Sequence, residues 1–414
     1  MHPKVLILLA FVAITAIKVV LQLVQYRSAQ NPIPESVADV YDRDTYLKWQ
    51  QYHGEQSRLN MIETLVSAAI MAVLLLINAH VVFAQLLGTS VQSAMFGVVL
   101  CQTLVDTLVS LPFRYIDTMK IEEKYGFNRS TMKTFVRDQI IELILGLLMS
   151  GFIVLAIQLS HNYLRDYMVL AFAAAMCLFV LVVNLLFPYL SRLQNKFTPL
   201  EEGSLRDKLT ALLTGHGYEV KDIQVMDASR RTTKLNAYFS GFGKQKRIVL
   251  FDNLLNVMEE DEICAVFAHE LGHGLHKDIP KQLLLSCGNM VIISLLAWLT
   301  VRQDSWYTAF GFTWLNYGFA YLLMSIVALP LVVQIVSIFT NYMTRKAEYA
   351  ADAQAVKEGY GNALISSLKK LAKENFSHLS PSELLVVLNY SHPPLAQRIS
   401  AIEALQEEKT EQPV

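Results

Sequence analysis

The sequence predicts a mainly α, multi-pass membrane protein: seven transmembrane helices carrying a polar lobe on one side, with a small β-hairpin in the lobe. Three observations predict it. Of 414 residues, 53% are hydrophobic and only 17% charged, against about 25% charged in an average soluble protein. The apolar residues gather into seven stretches, each long enough for the roughly 20 residues of helix that a bilayer demands. The two long segments outside those stretches, 192–280 and 341–414, have ordinary soluble composition.

The stretches are about 4–25, 61–86, 93–113, 139–160, 167–191, 281–301 and 307–340. The first is too long for a secretory leader, carries Lys18 inside and lacks a small-x-small cleavage site, so it reads as a retained span. The last is long enough to project beyond the bilayer or to tilt strongly. Loops 26–60 and 114–138 carry Arg27, Arg43, Lys48 and Arg58, then Arg114, Lys120, Lys124, Arg129, Lys133 and Arg137. The alternate loops hold only Arg165 and Arg302. Positive charge on one side predicts an external N-terminus and a cytoplasmic C-terminus, with Lys4 a small exception. Four segments follow: 1–191, spans one to five; 192–280, the first part of the lobe; 281–340, spans six and seven; 341–414, the rest of the lobe.

The formal net charge is −1, and no nucleic-acid motif is present, so a nucleic-acid partner is not expected. Cys101, Cys177, Cys264 and Cys287 are widely spaced in apolar surroundings without a C-x-x-C pair, which argues against a disulfide framework or a thiolate metal site. Lys18, Asp106, Glu142 and Asn184 fall at or near bilayer depth. Such groups face a bundle interior or water, either lining a cavity or pairing between helices.

The lobe reads as helices over 203–216, 251–258, 260–276, 341–358, 360–373 and 394–407. Residues 235–251 alternate, are rich in β-formers and carry Gly241 and Gly243, the pattern of a hairpin. Within the helix at 260–276 lies His269-Glu270-Leu271-Gly272-His273. Residues four apart share a helix face, so His269 and His273 can offer two imidazoles to one metal, with Glu270 beside them to work on a water. A hydrolytic zinc site wants a third protein ligand and one open position. Glu348 and Asp352, four apart after the last span, supply a carboxylate ligand and a partner that fixes an imidazole's tautomer. Two spans separate His273 from Glu348, and an even number returns the chain to the same side of the membrane.

With these residues in place, the sequence resembles the CAAX prenyl protease type 1 family, membrane-embedded zinc proteases of the gluzincin type. The resemblance rests on HELGH (269–273), RKAEYAAD (345–352), SHPPLAQRI (391–399), the stretch from Leu235 to Leu255 and EKYGFNRSTMKTFVRD (123–138). It implies one Zn²⁺ per chain held by His269, His273 and Glu348, a catalytic Glu270, and Asp352 behind a ligand. It places His392 and Arg398 beside the active site, where either can stabilise a developing oxyanion. It makes Asn236 the start of a substrate-binding strand that continues through Ala237 and Tyr238, an edge to which an extended peptide can add. The implied partners are prenylated C-terminal CAAX peptides or proteins and the lipid bilayer, and the implied oligomeric state is a monomer. The implied reaction removes the terminal aaX tripeptide, with a second upstream cut in some members. The location is the endoplasmic reticulum membrane in a eukaryote, or the plasma membrane in a prokaryote, with a cytoplasmic active site. Two rival readings remain open: a quality-control membrane zinc protease, and a seven-helix receptor or transporter without enzymatic activity.

Overall fold

The computed structural model describes residues 2–240 and 245–411. It opens with six helices: α1 (Pro3–Ser28), α2 (Arg43–Leu76), α3 (Ala79–Leu86), α4 (Val91–Ile116), α5 (Met132–Leu164) and α6 (Met168–Gln194). Next come β1 (Phe197–Pro199), α7 (Ser204–Gly215), β2 (Glu219–Met226), β3 (Ala237–Ser240), β4 (Gln245–Phe251), α8 (Asp252–Val257) and α9 (Glu260–Leu275). The chain re-enters the bundle through α10 (Asp278–Val301), α11 (Asp304–Ala309), α12 (Tyr317–Leu323) and α13 (Leu329–Lys357). It closes with α14 (Gly361–Glu374), α15 (Glu383–Asn389) and α16 (Leu395–Glu411).

Among the described residues, six stretches are long and apolar enough to cross a membrane. The fourth, Met132–Leu186, runs 55 residues. It is interrupted at Arg165, whose φ is +24°, and its halves α5 and α6 pack on each other. That stretch is a helical hairpin, so the described residues hold seven candidate passes. Large apolar side chains such as Leu108, Leu148, Leu170, Leu284 and Ile335 stay exposed on the bundle. An apolar surface of this extent belongs against lipid.

The span boundaries differ from the sequence expectation in two places. The second pass does not run over 61–86: α2 starts at Arg43, where Asp42 caps it by accepting from the Thr45 amide at 2.8 Å, and it ends at Leu76 before a left-handed Asn78 (φ 58°). Lys4 donates to Leu76 O and Asn78 Oδ1, both at 2.8 Å, a cation at the carbonyl end of a helix. The last pass starts at Tyr317 rather than 307, and α13 runs without a break across the expected boundary at 340/341.

The polar intramembrane residues split by role. Lys18 and Asp106 line a cavity of about 630 Å³ between the first, second, third and last passes, together with Glu63 and Asn60. Glu142 pairs with Arg114 between α5 and α4, and Asn184 bonds back to Val180 O at 2.8 Å.

The lobe contains more strand than a hairpin. β3 and β4 pair antiparallel, β2 joins β4 in parallel and β1 pairs antiparallel with β2. The order is β1-β2-β4-β3, which leaves β3 at an edge. The turn expected at Gly241 and Gly243 lies outside the described residues. Leu209, Leu213, Ile248, Leu250, Leu254, Phe267 and Leu271 form the core between sheet and helices. Burying one such side chain stabilises by about 1.5–3 kcal/mol. The segment between α1 and α2 belongs to the lobe as well: Val37, Val40, Tyr41 and Trp49 pack on Ala372, Leu379 and Ile399. The EKYGFNRS stretch ties bundle to lobe. Asn128 bridges to Thr232, Arg231 pairs with Asp138, and Glu122 accepts from Tyr52 (2.6 Å) and Lys234 (3.0 Å).

Candidate active site

The site is built where α9 crosses α13. Residues 260–275 form a helix because apolar Ile263, Cys264, Phe267 and Leu271 repeat at helical spacing and bury, and because Glu259 and Glu262 cap each other's backbone. Glu262 also accepts from Ser366 (2.6 Å) and Lys370 (2.7 Å) of α14, which anchors this end. The crossing is close enough to require glycine at 272. A Cβ there would lie 2.8 Å from Ala351 Cα, closer than any real side chain tolerates.

This contact brings the two histidines onto Glu348. His269 Nε2 lies 3.5 Å from Glu348 Oε2, and His273 Nε2 lies 3.3 Å from Oε1. One donor atom from each of the three residues falls within 4.8 Å of the others. Ligands about 2.0–2.2 Å from a metal sit about 3.4 Å apart, and each imidazole lies at about that distance from one of the two oxygens of the Glu348 carboxylate. Glu348 is 2% exposed, and its Oε2 has no aligned hydrogen-bond donor, which leaves a buried anionic oxygen for a cation to satisfy.

Both imidazoles are oriented from behind. His269 Nδ1 lies 2.8 Å from Asp352 Oδ1, and His273 Nδ1 lies 3.0 Å from Asp278 Oδ2. A carboxylate at each Nδ1 places a proton there and turns Nε2 toward Glu348. Burial opposes charge on the two rings, but the carboxylates around them outweigh it. Asp352 and Glu348 raise His269 above its ordinary value, and Glu348 and Asp278 push His273 up to about 9.

Arg398 of α16 holds Asp352 in a fork. Its Nε donates to Oδ2 at 2.9 Å and its Nη2 to Oδ1 at 2.6 Å, and Nη1 lies 3.6 Å from Glu348 Oε2. His392 approaches the same oxygen, with Nδ1 at 2.8 Å, while its side chain stays 64% exposed. Glu270 is half-buried and unpaired among the described residues. It lies close enough for its charge to act on His273 and Arg398.

The structure thus gathers His269, Glu270, His273, Glu348, Asp352, His392 and Arg398 at one place. It does not bring Asn236, Ala237 and Tyr238 into that cluster; Ala237 and Tyr238 lie on the edge strand β3, which packs beside α9, and Asn236 directly precedes it. Asn236 is exposed, and its side chain accepts from the Ala237 amide at 2.9 Å. Tyr238 is half-buried and its hydroxyl bonds Ser191 at the end of α6. The residue that sequence reasoning missed is Asp278. Its signal is an acid directly after the HELGH helix, at the start of the next span.

Comparisons with known proteins agree with this geometry. Residues 22–192 match a family model described as CAAX prenyl protease N-terminal, five membrane helices, and residues 199–406 match peptidase family M48. An Arabidopsis thaliana CAAX prenyl protease 1 homolog is 36% identical over 317 residues, 73% of this chain and 72% of that protein. CAAX prenyl protease 1 of Saccharomyces cerevisiae is 30% identical over 93% of this chain and 92% of its own length. A probable CAAX prenyl protease 1 of Schizosaccharomyces pombe is 36% identical, and the matched region spans 65% of its length. The crystal structure of S. mikatae Ste24p superimposes with a TM-score of 0.87 at 27% identity, covering 97% of this chain and 99% of that one. A buried His-His-Glu cluster on a multi-pass bundle, joined to these matches, makes the chain a membrane metalloendopeptidase that belongs to the CAAX prenyl protease type 1 branch of the M48 peptidases.

Proposed function

We propose that this protein removes the C-terminal aaX tripeptide from prenylated CAAX proteins, with one zinc ion per chain and the site on the cytoplasmic side. The observation that carries the reading is the convergence of His269, His273 and Glu348 at metal-ligand spacing across two intervening spans. The names of the relatives supply the substrate class, and the ligand set suits zinc. A receptor or transporter has no use for two imidazoles each backed by its own carboxylate.

A zinc ion held by the three residues would supply a water acidic near neutral pH and an electrophile for the scissile carbonyl. The chain's own groups do the rest. Glu270, unpaired among the described residues, takes the proton from the attacking water and passes it to the departing amine. Asp352 and Asp278 keep His269 and His273 in the tautomer that presents Nε2. Arg398, committed to Asp352, acts by holding that carboxylate in place. His392, close to Glu348 yet largely exposed, is placed to donate to the oxyanion. The free edge of β3, from Asn236 through Tyr238, takes the peptide as an added strand. The prenyl chain finds an apolar setting in the bundle, where each buried CH₂ contributes about 0.8 kcal/mol.

The test is cleavage of a farnesylated CAAX peptide and of its non-prenylated twin, with and without chelator, followed by mass spectrometry. Release of the intact tripeptide from the prenylated peptide alone, abolished by chelator, supports the reading. Equal cleavage of both peptides favours a quality-control protease instead.

A further inference from the structure

We propose that a pocket at the lobe-side boundary of the membrane, between the first turn of α10 and the middle of α13, binds the headgroup of an anionic phospholipid. Lys281 and Lys346 are its cationic contacts. The cavity measures about 330 Å³, and its wall includes His276, Asp278, Lys281, Leu285, Met343 and Lys346.

Its depth is set by the apolar residues around it. Leu284 is 75% exposed, Phe339 55% and Tyr342 57%. On a membrane protein these mark the edge of the hydrocarbon, with Tyr342 in the interfacial position that tyrosine favours. Lys281 lies one turn before Leu284 and Lys346 one turn after Tyr342, so the two spans lift both ammonium groups to the headgroup level. A basic pocket between spans on this side of a bilayer is the arrangement that holds anionic headgroups.

Two donors in the wall are not used up. Lys346 has no ion pair or hydrogen bond among the described residues. Lys281 spends one N–H on Asp278 Oδ1 at 3.2 Å, and its side chain is 62% exposed, which leaves two N–H groups. The carboxylate in the wall, Asp278, is 4% exposed and already bonded by His273 and Lys281, so the wall presents a net positive face. Leu285 and Met343 give an apolar floor suited to the start of acyl chains, which free phosphate lacks. The site also touches the metal centre: Lys281 holds the same carboxylate that orients His273.

The test is native mass spectrometry of the full chain in detergent, with dioleoylphosphatidylglycerol and the matching phosphatidylcholine added in turn. The native chain retains the anionic lipid in preference to the neutral one. The K281Q/K346Q variant binds the anionic lipid about tenfold more weakly, with phosphatidylcholine binding and melting temperature unchanged. K346Q alone, which breaks no ion pair or hydrogen bond among the described residues, moves affinity in the same direction. Equal retention of both lipids by the native chain overturns the proposal. So does equal loss in a K48Q/K133Q control, which removes the same charge elsewhere, or displacement of the lipid by an equal concentration of glycerol 3-phosphate.

Discussion

Gly272 and Ala351 touch backbone to backbone: the hydrogen of Gly272 occupies a space where a Cβ would come within 2.8 Å of Ala351 Cα. This contact fixes how close α9 comes to α13, and with it the span from the His269/His273 pair to Glu348. Gly272→Ala therefore forces the helices apart. Displacement of a site by about 1 Å can cost about 10²-fold in rate. The expected result is lower bound metal together with a turnover reduced by that order, read by elemental analysis beside the peptide assay. Full metal content with native turnover would show that the contact is not limiting.

Glu270→Gln separates metal binding from proton transfer. The variant keeps the three metal-site residues and their partners, so its metal content stays native. Cleavage falls by about 10²–10⁴-fold, the usual contribution of a general base. Substantial residual turnover would remove Glu270 from that role.

Asp352→Asn and Asp278→Asn test the groups behind the imidazoles. Each replaces an acceptor that fixes Nδ1–H with an amide able to turn the wrong way. Metal affinity is expected to fall about 10–100-fold in each, measured by competition with a chromogenic chelator. Asp352→Asn also strips the Arg398 fork of its carboxylate, so it is the more damaging of the two. The reverse order would contradict this placement of Arg398.

His378 makes stability depend on pH. It sits against Trp49 and His53, with ring centroids 4.9 and 5.2 Å away. Ser380 N donates to its Nδ1 at 3.3 Å, so Nε2–H donates to Ser28 Oγ at 2.8 Å. Burial, helped by His53, lowers its pKa from 6.5 to about 3. Below pH 6.5 the unfolded chain takes up a proton that the folded chain refuses. Stability is complete above 6.5 and falls as pH drops from 6.5 toward 3, by up to about 1.4 kcal/mol per unit. Melting temperatures of the detergent-solubilised protein from pH 7.5 to 4.5 should decline, and more gently in His378→Gln. Parallel slopes would rule this histidine out as the source.

The parts of the site legible in the sequence are those tied to local periodicity. His269 and His273, like Glu348 and Asp352, are four apart, and a helix turns that spacing into a shared face. Parity of spans then says that the two pairs can meet. Asp278 was not legible because no period links it to His273. The chain passes through a left-handed Lys277 (φ 56°) before α10 begins, and only that turn swings Asp278 back onto the ring. The β3–β4 hairpin was legible from alternation, while β2 was not, because its parallel partner β4 is reached by a crossover. Hydropathy located the apolar half of α2 and missed its start at Arg43, since it marks where lipid begins and not where a helix does.

The last pass carries Glu348 on the same unbroken helix that crosses the bilayer. From Leu329 to Glu348 is 19 residues, about 28 Å of rod at 1.5 Å each. A few degrees of added tilt at the buried end swings the carboxylate by about 1–2 Å, and helices tilt to match the hydrocarbon around them. Bilayer thickness is thereby written into the spacing between Glu348 and the imidazoles. The enzyme's turnover should track the acyl length of the lipids that surround it, with an optimum where the rod stands at its native angle.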